Sequence, residues 1–554
     1  MNLPAPPSHQ TALTAEPLTP ANTLIEWLSP LAKTTQAMII QTTPQGRLQL
    51  SGEDLWQQSD ALAVAFQQQG LQAGDRVGLL LGQQHEMITG LLACRKAGLV
   101  PVPINLLWPK DDMTYVMNHA GIKGLITDAA FAPQLLGSPW GLFKKLLQGK
   151  TLPLWVANVT QPSWHYRVIP TLRPLEPTIA KRMGQSPQPV TCPTNHLALL
   201  LYTSGTTAKP KGVMLSENNL LSNISGLLAI DLLRPEDKAL MALPLFHSYG
   251  QILTWLALGC GVPLVLEPSF HPKALLKRVQ EESVTVLPLV PSILGLLAEG
   301  LQKSEASAQT VIDGLKTLRV FVSGGAALPS ATLETLWQKT QIPVLEGYGL
   351  TETAPVVAVN RLSSPAPKAG TVGPPLPNVH VRLNAHNLNE IEVSGPNVML
   401  GYYRDEAATK AVMTLDGWFK TGDAGEWDAE GRLKISGGRL KELIIKDGEN
   451  ISPLRVEDAL MQHPAIAAVC VVGLPSPTLN QVKDRGERIG AALVLQTSPE
   501  ISSKQILADI KHWVRETLPP LLQPDEWQLL DELPKNATGK VLRRSVLESW
   551  PNSL

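Results

Sequence analysis

The stretch from Leu199 to Leu221 reads LLLYTSGTTAKPKGVMLSENNLL and has the make-up of an oxyanion-binding loop. Leu199, Leu200, Leu201 and Tyr202 form the apolar run of a buried strand, and Thr203, Ser204, Gly205, Thr206 and Thr207 follow with four hydroxyls in five residues. Small residues let the main chain approach a phosphate closely, amides and hydroxyls donate to it, and Lys209 and Lys211 supply positive charge. A Walker-type loop requires Gly-Lys-Ser/Thr at the start of a helix, whereas Lys209-Pro210-Lys211-Gly212 leads into Val213-Met214-Leu215. P-loop NTPase chemistry is thereby excluded. A plain Ser/Thr-rich surface turn is the competing reading, and the buried strand ahead of the loop disfavours it.

Six further segments follow in order: Leu243 to Gly250 (LPLFHSYG), Ser323 to Ala327 (SGGAA), Glu346 to Thr353 (EGYGLTET), Gly417 to Asp423 (GWFKTGD), Ser436 to Lys441 (SGGRLK) and Pro534 to Val541 (PKNATGKV). Taken singly each has a bland explanation: His247 as a core histidine, the glycine pairs as strand-to-helix turns, Asp423 and Arg439 as surface-turn residues, Lys540 as a solvated charge. Seven segments in register resemble the adenylate-forming enzymes, the superfamily of acyl-CoA synthetases, luciferases and peptide-synthetase adenylation domains. Ala208 stands where that family usually has glycine.

The resemblance implies a role for each motif. Thr203, Ser204, Gly205, Thr206, Thr207 and Lys211 would hold the β- and γ-phosphates of ATP. Gly324, Gly325 and Ala326 would give flat backbone for adenine or acyl chain, and Tyr348, with Gly349, would stack near adenine. Thr351 would meet the α-phosphate and Glu352 would hold Mg²⁺, as one carboxylate with phosphate oxygens suffices for that ion. Asp423 and Arg439 would take the ribose hydroxyls. His247 would line the acyl site near the carboxylate, Lys540 would bridge carboxylate and α-phosphate, and Lys441 would be the hinge of a rotating domain. The segment Lys446 to Asn450, with Gly448 and Glu449, would face a thiol acceptor, either CoA or the phosphopantetheine of an acyl carrier protein.

The activity implied is ligation of an acid to a thiol through an acyl-adenylate, with release of AMP and pyrophosphate. Residues 243–250, 346–361 and 395–403 look most like bacterial long-chain acyl-CoA and acyl-carrier-protein synthetases, which points to a medium- to long-chain fatty acid. The Pro291 to Ala298 segment, with Ile293, Leu294, Leu296 and Leu297, suits either a tunnel wall or a core. Only a short segment separates Glu352 from Gly370, unlike the insertion of free-standing fatty acyl-AMP ligases. An aryl- or small-acid-CoA ligase would share every nucleotide motif. An inactive scaffold would have lost Lys540 or Glu352, and both are present.

Composition sets the bounds within which these residues work. A chain of 554 residues exceeds one core and implies a large domain with a smaller one. Net charge −1 with 17% charged residues lacks the basic excess of a nucleic-acid binder and favours a small-molecule substrate. Cys94, Cys192, Cys260 and Cys470 lie far apart without metal-ligand spacing and read as reduced core cysteines of a cytoplasmic protein. The first twenty residues carry five prolines and neither Lys nor Arg, which reads as a disordered leader (1–22) and not a secretory signal. The uncharged stretch Ala239 to Leu266 reaches membrane-spanning length, but its prolines and glycines fit a strand, a buried helix and a second strand. No transmembrane segment is expected, and peripheral membrane contact is left open.

The elements that position the motifs are legible as an α/β alternation. A helix capped by Ser51 precedes a strand over Arg76 to Leu81, a helix over His85 to Ala97 and an extended, proline-bearing segment at Val100 to Ile104. Strand candidates at Gly124 to Thr127, Val262 to Leu266, Thr285 to Leu289, Leu318 to Val322 and Ile342 to Leu345 alternate with helices, the pattern of parallel sheets covered on both faces. Residues 130–189, rich in proline, read as a partly irregular surface excursion. Short strands dominate residues 370–430, and α/β alternation resumes beyond Lys441. The fold expected is α/β: a 23–440 adenylation core of parallel-rich sheets with a small β-rich subdomain, and a small mobile α/β domain over 441–554.

Overall fold

The computed structural model describes residues 23–43, 46–131, 152–158, 172–203, 209–267, 271–363, 367–446, 449–475, 487–496, 502–535 and 540–551. The expected leader 1–22, Ser204 to Ala208 and Gly448 lie outside the described residues.

Two mostly parallel sheets form the bulk of the α/β fold. One has eight strands, in spatial order Val356–Val359, Val344–Gly349, Val320–Ser323, Val286–Leu289, Ala239–Met241, Leu264–Leu266, Ala37–Thr43 and Gly46–Ser51. Its inner strands pair in parallel and the two edge strands antiparallel. Strands such as Val320–Ser323 are apolar nearly throughout because helices bury both faces. The second sheet has five parallel strands, in order Val100–Pro103, Arg76–Leu80, Gly124–Asp128, Leu154–Ala157 and Leu172–Pro174. The proline-bearing strand sits at its edge, where missing N–H donors cost no ladder bond.

Local chemistry explains where the helices begin. Ser51 accepts from Asp54 N and its own N–H donates to the Asp54 carboxylate, a capping box that starts the Gly52–Gln68 helix. The uncharged stretch resolves into the Ala239–Met241 strand, the buried Ser248–Gly259 helix and the Leu264–Leu266 strand. Among the described residues no helix is long and apolar enough to cross a membrane.

The surface-excursion reading of residues 130–189 is corrected for residues 152–158, while 132–151 and 159–171 lie outside the described residues. Leu154–Ala157 is an inner strand, and Trp155 is fully buried with its ring edge-on to Phe66 at 4.9 Å between centroids. The reading of all four cysteines as core residues is also corrected: Cys94 and Cys470 are buried, Cys192 and Cys260 only partly, and all are free thiols. In the Pro291–Lys303 helix, Leu294 and Leu297 pack into the core with Phe321, whereas Leu296 is exposed on the opposite side.

An antiparallel sheet of His380–Asn384, Glu390–Ser394, Phe419–Trp427 and Leu433–Arg439 makes the small β-rich part. Beyond it, Ile466–Pro475, Glu487–Leu495 and Glu526–Leu529 form a three-stranded sheet flanked by the Pro453–Leu460 and Ser503–Thr517 helices. Its apolar clusters, around Ile489 and Trp550, draw only on residues 444–550.

Candidate active site

The C-terminal ends of the eight-stranded sheet, the antiparallel sheet and the 444–551 region border one cleft of about 2880 Å³. Thr203, Lys211, His247, Gly324, Gly325, Ala326, Tyr348, Gly349, Thr351, Glu352, Asp423 and Lys540 all line it. These residues span more than three hundred positions of sequence, so the fold brings together what the motifs only ordered.

Thr203 ends the Leu197–Thr203 strand and Lys211 begins the antiparallel Lys211–Ser216 strand, with the two residues in register. The hairpin thus fixes the residues on either side of 204–208. Lys211 Nζ stands 5.0 Å from the ring centroid of Tyr402, and the Tyr402 hydroxyl donates to Glu352 Oε1 at 2.8 Å. Tyr402 enters because Gly401–Tyr402 pairs with the Lys211–Ser216 strand.

Gly349 is required by close approach. A Cβ there would fall on the Pro355 carbonyl oxygen and 3.0 Å from Val356 Cα, both backbone atoms that cannot swing aside. Thr351 and Glu352 follow in a short 3-10 turn. The Thr351 hydroxyl lies 3.4 Å from that of Ser248.

His247 caps the Ser248–Gly259 helix, its Nδ1 accepting from Tyr249 N at 3.3 Å, so in this network the ring proton sits on Nε2. Water still reaches the ring through the cleft, but protein surrounds its other sides. Burial, and then the charge of Lys540, hold its pKa down to about 4, leaving a neutral imidazole. The Tyr249 hydroxyl donates to the Val322 carbonyl at 3.1 Å, and a Cβ on Gly324 would meet the Tyr249 ring at 3.2 Å. Gly325, at φ +88°, turns the chain where a side chain would be strained.

On the opposite wall the Tyr348 hydroxyl donates to Asp423 Oδ2 at 2.7 Å. Asp423 and Arg439 are partners in antiparallel register. Lys441 falls in the Leu440–Glu442 turn where the antiparallel sheet ends. Glu449 is exposed on the Glu449–Ile451 strand and does not line the cleft, whereas its neighbour Asn450 does.

Four residues that line the cleft or brace it carried no individual signal. Tyr402, Ser248 and Arg543 act on partners 50 to 103 positions away. Glu346 heads a motif, but its state depends on packing: it is buried and accepts one bond from Leu328 N at 2.9 Å. Burial first, and then the negative charge of Asp458, push its carboxyl up to about 8.

Comparison with known proteins agrees with this arrangement. The family model of the AMP-binding enzymes matches residues 32–403, and that of the AMP-binding enzyme C-terminal domain matches residues 455–540. A long-chain-fatty-acid–CoA ligase of Bacillus subtilis is 31% identical over 90% of this chain and 90% of its own. A feruloyl-CoA synthase of Amycolatopsis is 30% identical over 88% of this chain and 91% of its own. The ATP-bound crystal structure of MatB from Rhodopseudomonas palustris superimposes with a TM-score of 0.78 at 27% identity, covering 95% of this chain and 98% of that one. With its motifs gathered in one cleft and both family models matched, the chain belongs to the AMP-binding enzymes, the adenylate-forming family that includes the acid–CoA ligases.

Proposed function

We propose that the chain activates a medium- to long-chain fatty acid as its adenylate and passes the acyl group to the thiol of CoA or of a phosphopantetheinyl carrier protein. The observation that carries the substrate class is the apolar part of the cleft lining, where Leu227, Leu232, Phe246, Leu253 and Val322 present hydrocarbon. Such a lining rewards each buried methylene by about 0.8 kcal/mol.

In the first half-reaction a carboxylate oxygen of the acid attacks the α-phosphorus of ATP, the bond to the β-phosphate breaks and pyrophosphate leaves. Thr203 to Thr207 and Lys211 hold the β- and γ-phosphates, and Thr351 donates to the α-phosphate. Asp423, its carboxylate held by Tyr348, accepts from the ribose, and Arg439 lies opposite it in the strand register. The neutral His247 offers Nε2–H beside the acid. The Lys540 ammonium offsets the charge that builds on the α-phosphoryl oxygens, a fixed electrostatic contribution.

Among the described residues no group of three His, Cys, Asp or Glu could hold a metal. Glu352 alone, with substrate oxygens, fits magnesium, which would add positive charge at the phosphates. In the second half-reaction the domain beginning at Lys441 turns, withdrawing Lys540 and bringing Gly448 and Glu449 to the thiol side. The thiolate sulfur attacks the acyl carbonyl carbon and AMP departs.

A second reading, an aryl-CoA ligase, is favoured by the feruloyl-CoA relative. Substrate-dependent exchange of pyrophosphate into ATP with octanoate, palmitate and benzoate separates the two. Exchange with octanoate or palmitate is expected. Exchange with benzoate alone replaces the fatty-acid reading by the aryl one, and exchange with no acid in a wider carboxylate panel points to an inactive scaffold.

A further inference from the structure

We infer that Arg543 is a positioning residue for Lys540, fastening the lysine's arm to the hinge turn; this rests on the assignment of Lys540 to adenylation. Arg543 opens the Arg543–Glu548 helix three residues after the lysine. Its Nε donates to Glu442 Oε2 at 3.0 Å, its Nη2 to Glu457 Oε2 at 2.8 Å, and its Nη1 to Glu457 Oε1 and to the Val471 carbonyl at 2.8 Å. All three nitrogens of the guanidinium are engaged, on two carboxylates and a carbonyl.

The arm itself is closed at its base. Leu542 N donates to the Pro534 carbonyl at 2.8 Å, and Lys535 and Val541 form an antiparallel bridge. Lys540 therefore stands immediately before Val541, Leu542 and Arg543, all three of which are held by these bonds.

The partners differ in what they explain. Glu457, on the Pro453–Leu460 helix, and Val471, in the Ile466–Pro475 strand, belong to the C-terminal fold, and their bonds to Arg543 would hold that fold together by themselves. Glu442 lies at the very start of that domain, in the hinge turn rather than in its sheet or helices. It closes the Leu440–Glu442 turn, one residue past Lys441, and that turn packs on the Phe419–Trp427 and Leu433–Arg439 strands, the first of which carries Asp423. The Nε bond to Glu442 thus ties the lysine arm to the end of the nucleotide-binding sheet.

Only a planar fork can meet this set of partners. A lysine at 543 keeps the charge but reaches one carboxylate as a point donor, so Arg543→Lys should leave a folded domain with a slack arm. Glu442→Gln removes the charge of the hinge-side partner and leaves the Glu457 pair intact.

The test uses the full-length protein with Arg543→Lys, Glu442→Gln and, as a reference, Lys540→Ala. Pyrophosphate exchange at saturating acid gives kcat and the KM for ATP. A chemically supplied acyl-adenylate with CoA gives the thioester step, and thermal melting reports the fold. The expected result is a fall in exchange kcat of about tenfold in Glu442→Gln and on the order of a hundredfold in Arg543→Lys, the scale of a misplacement of about 1 Å. The KM for ATP and the thioester step should stay within about twofold, because the lysine acts on charge that builds in the adenylation transition state and is withdrawn for the thioester step.

Parallel loss of both steps, or exchange near wild type in both variants while Lys540→Ala abolishes it, overturns the inference and leaves Arg543 a structural pin. Exchange that survives Lys540→Ala overturns the assignment of the lysine, and this inference with it. Should Arg543→Lys fail to fold, Glu442→Gln decides by the same criteria.

Discussion

The hydroxyl of Tyr402 donates to Glu352 Oε1 at 2.8 Å while Lys211 sits 5.0 Å from the centroid of the same ring, so one tyrosine joins the phosphate-side hairpin to the carboxylate proposed to hold the metal. The arrangement orients the carboxylate through the tyrosine hydroxyl. Its effect should appear in metal dependence and not in binding of the acid.

Tyr402→Phe is expected to raise the magnesium concentration needed for half-maximal pyrophosphate exchange about tenfold or more, since a hydrogen bond to a charged group is worth ~1.5–3 kcal/mol. Glu352→Gln should lower exchange by orders of magnitude, because metal-assisted charge stabilisation supplies several kcal/mol. A magnesium titration of both variants checks this. Wild-type exchange at limiting magnesium would show that the metal is held elsewhere.

Gly349→Ala puts a methyl group against the Pro355 carbonyl and the Val356 backbone. Overpacking against backbone typically costs about 1–3 kcal/mol, and here the strand that must move carries Tyr348 and leads to Thr351 and Glu352. Lower melting temperature together with a greater loss of exchange than of stability is the expected outcome, measured by thermal melting and exchange kcat. An unchanged melting temperature would mean that the two strands separate freely.

Part of this was legible before the structure and part was not, for physical reasons. Ser51 and the helix it caps are local, since cap and box partner lie three residues apart. The Ala239–Met241, Ser248–Gly259 and Leu264–Leu266 elements were legible because glycines and prolines punctuate an apolar run. Trp155 was not: its strand is short, and only pairing with Gly124–Asp128 and packing on Phe66 make it core. Likewise four apolar residues of the Pro291–Lys303 helix look alike in sequence, and only the neighbouring Phe321 decides that Leu294 and Leu297 point inward while Leu296 does not. In the site, motif order pointed to Thr203, Lys211, His247, Tyr348, Thr351, Glu352, Asp423 and Lys540, which the fold places along one cleft. The braces Tyr402–Glu352 and Arg543–Glu442 were invisible because no local pattern links residues that far apart.

Glu346 should make stability depend on pH. Burial and the nearby Asp458 charge raise its carboxyl to about 8 in the folded protein, above the ordinary glutamate value, so the folded chain keeps a proton that the unfolded chain gives up. Stability contributed by this group is therefore fully present below about pH 4, falls as pH rises, and levels off above about pH 8. Glu346→Gln should match wild type near pH 5 and melt at higher temperature than wild type near pH 9. Identical melting curves at both pH values would show that the carboxylate is ionised at little cost.

Lys441 sits in the Leu440–Glu442 turn, between the antiparallel sheet that carries Asp423 and the apolar clusters of residues 444–550. Proline at this position fixes φ near about −65° and removes an N–H donor. If the C-terminal region must turn between half-reactions, the present orientation, with Lys540 in the cleft, serves adenylation and a second one serves the thiol. Lys441→Pro should accordingly leave pyrophosphate exchange within about threefold of wild type while suppressing thioester formation by tenfold or more, about the separation expected when one conformer is withheld. Exchange and single-turnover thioesterification of a supplied acyl-adenylate, measured on the same preparation, give the two rates. A variant that melts as wild type and runs both steps at normal rates would move the pivot to another residue between Gly437 and Leu443. Loss of exchange with the thioester step retained would mean that proline selects the opposite orientation, and would still separate the two steps at this residue.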